Sequence, residues 1–223
     1  MIQAVLFDLD GVLVATDTLH YEAWKQLART LGIVDFTRKD NLRQRGVSRM
    51  ESLEILLRKG KIKYTQAEKQ QLAEQKNQYY VKKLQELNAD ALLPGVLETL
   101  AELQSRGIKT AVASASKNAD LILKKTGLAG RFDAVVDGFE ALRSKPDPQV
   151  FQLAAQKLRV DPEACLVVED AEAGVQAACA AGMPVLGVGP AALSRRVIWH
   201  ARDLADTTIQ WEQILKTNSQ TVW

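Results

Sequence analysis

The sequence predicts an α/β protein: a parallel sheet with helices on both faces and a helical segment inserted behind the first strand. Two observations predict it. Short β-rich runs alternate with amphipathic segments along most of the chain, and residues 16 to 91 interrupt that alternation with helical periodicity and no convincing strand. A chain of 223 residues is long for one domain and short for two full ones, which suits a core with a large insertion. Residues 1–15 and 92–223 are therefore expected to form the α/β core, and 16–91 a helical cap.

The first β run is AVLFDLD, at the start of the chain. In the insertion, Ser48 with Glu51 and Thr65 with Glu68 each follow the S/T-x-x-E pattern that satisfies free N–H groups at a helix start. Pro94-Gly95 marks the return to the core. Further β runs follow at 108–114 (IKTAVAS), 133–136 (DAVV), 165–170 (CLVVED) and 183–189 (MPVLGVG), with amphipathic segments near 95–106, 117–126, 148–158 and 171–181. From about 190 onward no motif stands out, and Trp199, His200, Trp211 and Trp223 read as packing or surface residues.

Composition excludes several classes. With 47% hydrophobic and 25% charged residues the chain can bury a real core, so disorder is excluded. A formal charge of +2 is too mild for nucleic-acid binding, and the cluster Arg58, Lys59, Lys61, Lys63 reads as a solvated helix end and loop. The opening MIQAVLFDLDG has no basic leader and carries two aspartates, so neither a signal peptide nor a membrane span is expected and the cytoplasm is the expected location. Cys165 and Cys179 lie in apolar, core-like stretches and read as reduced thiols.

In open parallel sheets, function gathers at the carboxyl ends of the strands. Asp8, Asp10, Ser114, Glu169 and Asp170 all fall there. DxDG alone is as readily a strand-ending turn, but a second acidic pair at another strand end changes the balance. Four acids on one sheet edge repel one another unless a cation offsets them, and hard oxygen ligands suit Mg²⁺. Lys145, between Ser144 and Pro146, is either a solvated loop lysine or a point charge for phosphoryl oxygens. Ser114 to Asn118 join a strand to a helix start, where hydroxyl and N–H groups receive an anion, although Ser116 alone could be only an N-cap.

In chain order, DLDG at 8–11, ASAS at 113–116, SKPDP at 144–148 and VVED at 167–170 resemble the four motifs of the haloacid dehalogenase superfamily. The resemblance implies a Rossmann-like parallel sheet core with an inserted helical cap. It implies that Asp8 is a nucleophile toward phosphorus and that Asp10 is a general acid and base. Ser114 and Lys145 would complete the catalytic set, with Mg²⁺ held by Asp8, the Asp10 carbonyl, Asp170 and Glu169, directly or through water. An acyl phosphate on Asp8 could pass its phosphoryl group to water or to a sugar hydroxyl, and these motifs do not choose.

The cap carries further signals. His20, Trp24, Leu27 and Leu31 follow a 4-3-4 spacing, so a histidine opens an apolar stripe on a helix that Asp17 could cap. Leu72, Lys76, Tyr80 and Leu84 lie four apart, which puts a lysine on an apolar face. Arg49 stands just inside a helix start, where a guanidinium could grip a phosphate or simply be solvated. With RGVSRMESL at 45–53 and KNQYYVK at 76–82, these positions resemble the β-phosphoglucomutase family. That likeness implies a small-molecule sugar phosphate as substrate, β-glucose 1,6-bisphosphate as intermediate, and a monomer with no nucleic-acid or membrane partner. It implies contacts to substrate from Thr16, Trp24, Gly46, Val47, Arg49, Ser52, Lys76, Ala115, Ser116, Lys117 and Asn118, with His20 coupling substrate binding to Asp10. One departure is Ala15, where relatives commonly carry an acidic residue, in the expected hinge.

Overall fold

The structure is a computed structural model and describes residues 1–217. Six parallel strands form one sheet: β1 (Ala4–Phe7), β2 (Lys109–Ala113), β3 (Ala134–Val136), β4 (Cys165–Glu169), β5 (Val185–Val188) and β6 (Trp199–Ala201), in the order β3-β2-β1-β4-β5-β6. The central strands are continuous apolar runs because both faces are covered. Side chains alternate between two cores: Val5, Phe7, Leu166 and Val168 enter one, Ala4, Leu6, Cys165 and Val167 the other. The helices α5 (Val96–Ser105), α6 (Ala119–Lys125) and α9 (Trp211–Lys216) contribute to the first core, and α7 (Gln149–Leu158) and α8 (Glu172–Ala180) to the second.

Residues after β1 form α1 (Asp17–Thr30), α2 (Arg38–Leu42), α3 (Arg49–Leu57) and α4 (Gln66–Leu84), packed around a third apolar cluster centred on Trp24, Leu27, Leu53 and Leu56. Both capping boxes are present, Ser48 with Glu51 and Thr65 with Glu68. The two connections to the core run side by side. Val14 and Leu92 form an antiparallel bridge, the Ala15 N–H donates to the Ala91 carbonyl at 2.8 Å, and the Leu93 N–H donates to that of Leu13 at 3.0 Å. Ala15 uses only its backbone there, and its side chain faces solvent.

Some expectations change. Asp17 does not cap α1; it is the first helical residue, and Thr16 precedes it without a side-chain cap bond. The chain end adds β6 and α9, where no element was expected. Trp211 is buried in α9, Trp199 is half-buried in β6, and Trp223 lies outside the described residues. Lys59 pairs with Asp40 at 3.0 Å and Asp35 at 3.4 Å, while Arg58, Lys61 and Lys63 are exposed. Both cysteines are free, and burial pushes the Cys165 thiol up to about 12, which leaves it inert. No helix among the described residues is long and apolar enough to cross a membrane.

Candidate active site

The strand order reverses between β1 and β4, and ligands of open α/β sheets bind in the crevice beyond the strand ends at such a point. Asp8 and Asp10 follow β1, Glu169 ends β4, and Asp170 comes next. Two glycines make room for these acids. Gly11 turns the chain with φ +93°, and a Cβ there would overlap the Asp170 carboxylate. On α8, a Cβ at Gly174 would occupy the space of the Glu169 carboxylate.

Lys145 is fully buried at the centre of the acids. Its Nζ lies 2.5 Å from Asp8 Oδ1 and 2.5 Å from Glu169 Oε1. Glu169 turns its other oxygen to the N–H groups of Asp170 (2.8 Å) and Ala171 (2.9 Å), so its carboxylate is committed to holding Lys145 and the turn. Burial works against the Lys145 ammonium, yet the two carboxylates hold its pKa well above the usual lysine value. The acids remain short of positive charge. Burial pushes Asp8 up to about 7, partly offset by Lys145, and burial with the charges of Glu169 and Asp8 pushes Asp170 well above the carboxylate range. Asp8, Glu169 and Asp170 can each present one oxygen with all three within 4.8 Å of one another. This all-oxygen, undercompensated set fits a hard divalent cation. Because Glu169 is occupied, Asp8 and Asp170 offer the freer oxygens.

Asp10 faces the other way. Its Oδ1 accepts the Thr16 hydroxyl and lies 3.6 Å from His20 Nε2. His20 Nδ1 is 2.9 Å from Lys76 Nζ, and that nitrogen sits over the rings of Trp24 (4.7 Å) and Tyr80 (4.6 Å). Burial, then the charge of Arg49, brings Lys76 down to about 7; burial, then Lys76, lowers His20. Asp10 is held below its ordinary value against its burial by His20 and Thr16. Thr16, expected among the substrate contacts, is instead fully buried behind Asp10.

Between core and cap lies a cavity of about 590 Å³. Asp8, Asp10, Ser114, Lys145 and Asp170 line its floor, and Ala115, Ser116, Lys117 and Asn118 a side wall. His20, Trp24, Gly46, Val47, Arg49, Ser52 and Lys76 come from the cap. Ser114 Oγ accepts the Ser116 N–H (3.1 Å), and Ser116 Oγ that of Asn118 (3.2 Å), which folds this loop toward the cavity. Asn118 donates to Asn77 across the cap boundary at 3.0 Å, and Arg49 pairs with Glu74 at 3.5 Å.

Sequence reasoning missed Arg45. Its guanidinium holds both Asp17 oxygens (3.1 Å each) and reaches Asp170 Oδ2 at 3.2 Å, so one cap side chain contacts a candidate metal ligand. The missed contact between Glu51 and the Ser144 hydroxyl also joins cap to core. Both residues lay inside quoted motifs, but their partners are far away in the chain.

Residues 2–182 match the family model for haloacid dehalogenase-like hydrolases. The chain belongs to the haloacid dehalogenase-like hydrolase family. Within that family it is 41% identical to the β-phosphoglucomutase of Bacillus subtilis over 95% of this chain and 96% of that one. It is 34% identical to a phosphorylated carbohydrates phosphatase of Thermotoga maritima, over 81% and 82% of the two chains. The crystal structure of β-phosphoglucomutase from Clostridium difficile superposes with a TM-score of 0.91 at 37% identity, covering 100% of this chain and 99% of that one. The haloacid dehalogenase-like fold thus accounts for the whole sheet and the inserted helices together.

Proposed function

We propose that this chain is a β-phosphoglucomutase that interconverts β-D-glucose 1-phosphate and D-glucose 6-phosphate through β-glucose 1,6-bisphosphate. The observation that carries the reading is the hold of the cap on Asp10. The proton-transfer group of the core meets its His20 and Lys76 partners only where the cap lies over the strand ends. Such a site is assembled by a substrate that draws the cap down, which favours a sugar hydroxyl over water as acceptor. The whole-length likeness to β-phosphoglucomutases supports the same choice.

In the first transfer the 6-hydroxyl of β-glucose 1-phosphate attacks phospho-Asp8, the aspartyl P–O bond breaks, and the Asp10 carboxylate takes the proton, which gives the bisphosphate. In the second, with the bisphosphate turned round, the freed Asp8 carboxylate attacks the phosphorus at C1, its bond to the sugar oxygen breaks, and the Asp10 carboxyl returns the proton to that oxygen, which leaves glucose 6-phosphate and phospho-Asp8. Lys145 and Ser114 hold the phosphoryl oxygens. Mg²⁺, held by Asp8, Asp170 and the Asp10 carbonyl with Glu169 behind them, supplies charge neutralisation when bound. Arg49, Ser116, Lys117 and Asn118 grip the idle phosphate, while Trp24, Gly46, Val47, Ser52, Lys76 and Ala115 surround the sugar. The setting we propose is a monomer in the cytoplasm acting on a small molecule.

The test is glucose 6-phosphate formation from β-glucose 1-phosphate with Mg²⁺ and a trace of bisphosphate, read with a coupled dehydrogenase beside a phosphate-release assay. Phosphate release without glucose 6-phosphate would refute the mutase. A sugar-phosphate phosphatase is the second reading, favoured by the Thermotoga relative. Arg49→Ala separates the two: the mutase loses roughly a hundredfold in kcat/KM with its phosphate grip, whereas a phosphatase keeps its turnover.

A further inference from the structure

Arg49 and Asn118, both assigned above to the idle phosphate, already have partners in this structure, and both partners stand on α4. Glu74 Oε2 lies 3.5 Å from Arg49 Nη1, and Asn77 Oδ1 accepts from Asn118 Nδ2 at 3.0 Å. Glu74 and Asn77 are three residues apart on the helix, so their side chains are neighbours, and Asn77 Nδ2 lies 3.5 Å from Glu74 Oε1. A single helix turn thus offers a carboxylate to the cap side of the grip and an amide oxygen to its core side.

The two ends of the Arg49–Glu74 pair differ. Both residues line the cavity, but the Arg49 side chain is 21% exposed and that of Glu74 58%. A carboxylate that fixes a guanidinium in place does so with short, forked hydrogen bonds. This pair stands at 3.5 Å, the outer limit of a hydrogen bond, so Glu74 offsets the charge of Arg49 without locking its direction. An exposed carboxylate gives up such a pair at little cost, by turning into water. A phosphate dianion brings twice the charge and can offer two oxygens to the fork.

We propose that Glu74 is a displaceable counter-ion of Arg49 that sets how tightly the idle phosphate is held. It occupies the guanidinium while the cavity is empty, and the phosphate must displace it to bind. The inference rests on the reading of Arg49 as the phosphate grip. For a mutase a moderated grip is useful, because the bisphosphate has to leave Arg49 in order to turn round between the two transfers.

The test is a double-mutant cycle on Glu74→Gln and Arg49→Ala in the full-length enzyme with Mg²⁺, read as KM for β-glucose 1-phosphate. Glutamine keeps the size of the side chain and removes its charge. The expected result is a KM about threefold lower in Glu74→Gln, the scale of one exposed ion pair. In the Arg49→Ala background, where KM is already raised, the gain from Glu74→Gln disappears. A KM equal to that of the wild type overturns the proposal. A higher KM does so too, since it marks a carboxylate that positions Arg49 for the phosphate, as does an equal gain with and without Arg49. A wild-type KM in Arg49→Ala removes the grip and the counter-ion together, whichever product the enzyme makes. If the wild-type enzyme releases phosphate and forms no glucose 6-phosphate, the mutase reading fails by itself, and the same cycle is read through phosphate release.

Discussion

Gly174→Ala separates two opposite expectations. Helix propensity alone predicts stabilisation, because alanine in a helix interior is favoured over glycine by about 1 kcal/mol. Gly174 is on α8, directly against Glu169. A Cβ there would lie 2.7 Å from Glu169 Cγ and closer still to the carboxylate, which is fully buried and has no free space to enter. Glu169 must move, and it then releases Lys145 at 2.5 Å and the N–H groups of Asp170 and Ala171. Breaking a buried ion pair in this way costs about 3–5 kcal/mol. Subtracting the helix gain of about 1 leaves a net loss of roughly 2–4 kcal/mol. At ~2–4 °C per kcal/mol for a chain of this size, the melting temperature falls by roughly 4–16 °C. Differential scanning calorimetry of both proteins measures it, and phosphoryl transfer falls with it because Lys145 loses its anchor. An alanine variant that melts at or above the wild-type temperature with full activity would show that Glu169 does not need the glycine.

Arg45→Ala removes a cation that competes for Asp170 at 3.2 Å, so Mg²⁺ binds several-fold more tightly, as titration calorimetry would register, while sugar-phosphate turnover falls with the lost link between cap and core. Lys76→Met replaces a buried ammonium over Trp24 and Tyr80 with an apolar chain of similar length; urea unfolding should show a gain of about 1 kcal/mol, and mutase activity a loss of tenfold or more. Asp40→Asn weakens the start of α2, where Asp40 accepts the Thr37 N–H at 2.8 Å and pairs with Lys59, and costs about 1 kcal/mol at neutral pH. The Thr37 N–H and Lys59 hold the Asp40 pKa at about 2, below its ordinary 3.8, so its contribution is fully present above pH 3.8. It disappears as the pH falls through about 2, and the urea midpoints of wild type and variant converge there.

The central strands were legible because each is a short apolar run, and a strand covered on both faces leaves little else in its sequence. β6 and α9 were not, since three residues at a sheet edge and a helix of six offer too few positions for any period to register. The acids at the ends of β1 and β4 were legible as a group because residues at strand ends of a parallel sheet must share one edge. What stayed hidden depends on pairings across the chain. Asp17 reads locally as a helix cap, and only the folded chain brings Arg45 from 28 residues away to claim it. Tyr80 sits at an apolar-stripe position and reads as packing. Its ring, stacked on His20 and facing the Lys76 Nζ, owes its place to neighbours that the sequence of α4 does not contain.

The paired connections at Val14 and Leu92 have a consequence beyond the reaction. Seen from the sheet, the four helices between them are one long loop whose ends already touch. Closing a loop grows more costly only slowly with length, by about 0.6 kcal/mol per doubling, so the sheet hardly registers what its loop contains. Specificity is thereby written mostly on the inserted piece of chain, although Ala23, Tyr80 and Leu84 of that piece also pack in the first core. A different helical segment grafted at the same two bridged residues would change what reaches Asp8 and leave the pairing of β1 with β2 and β4 as it stands.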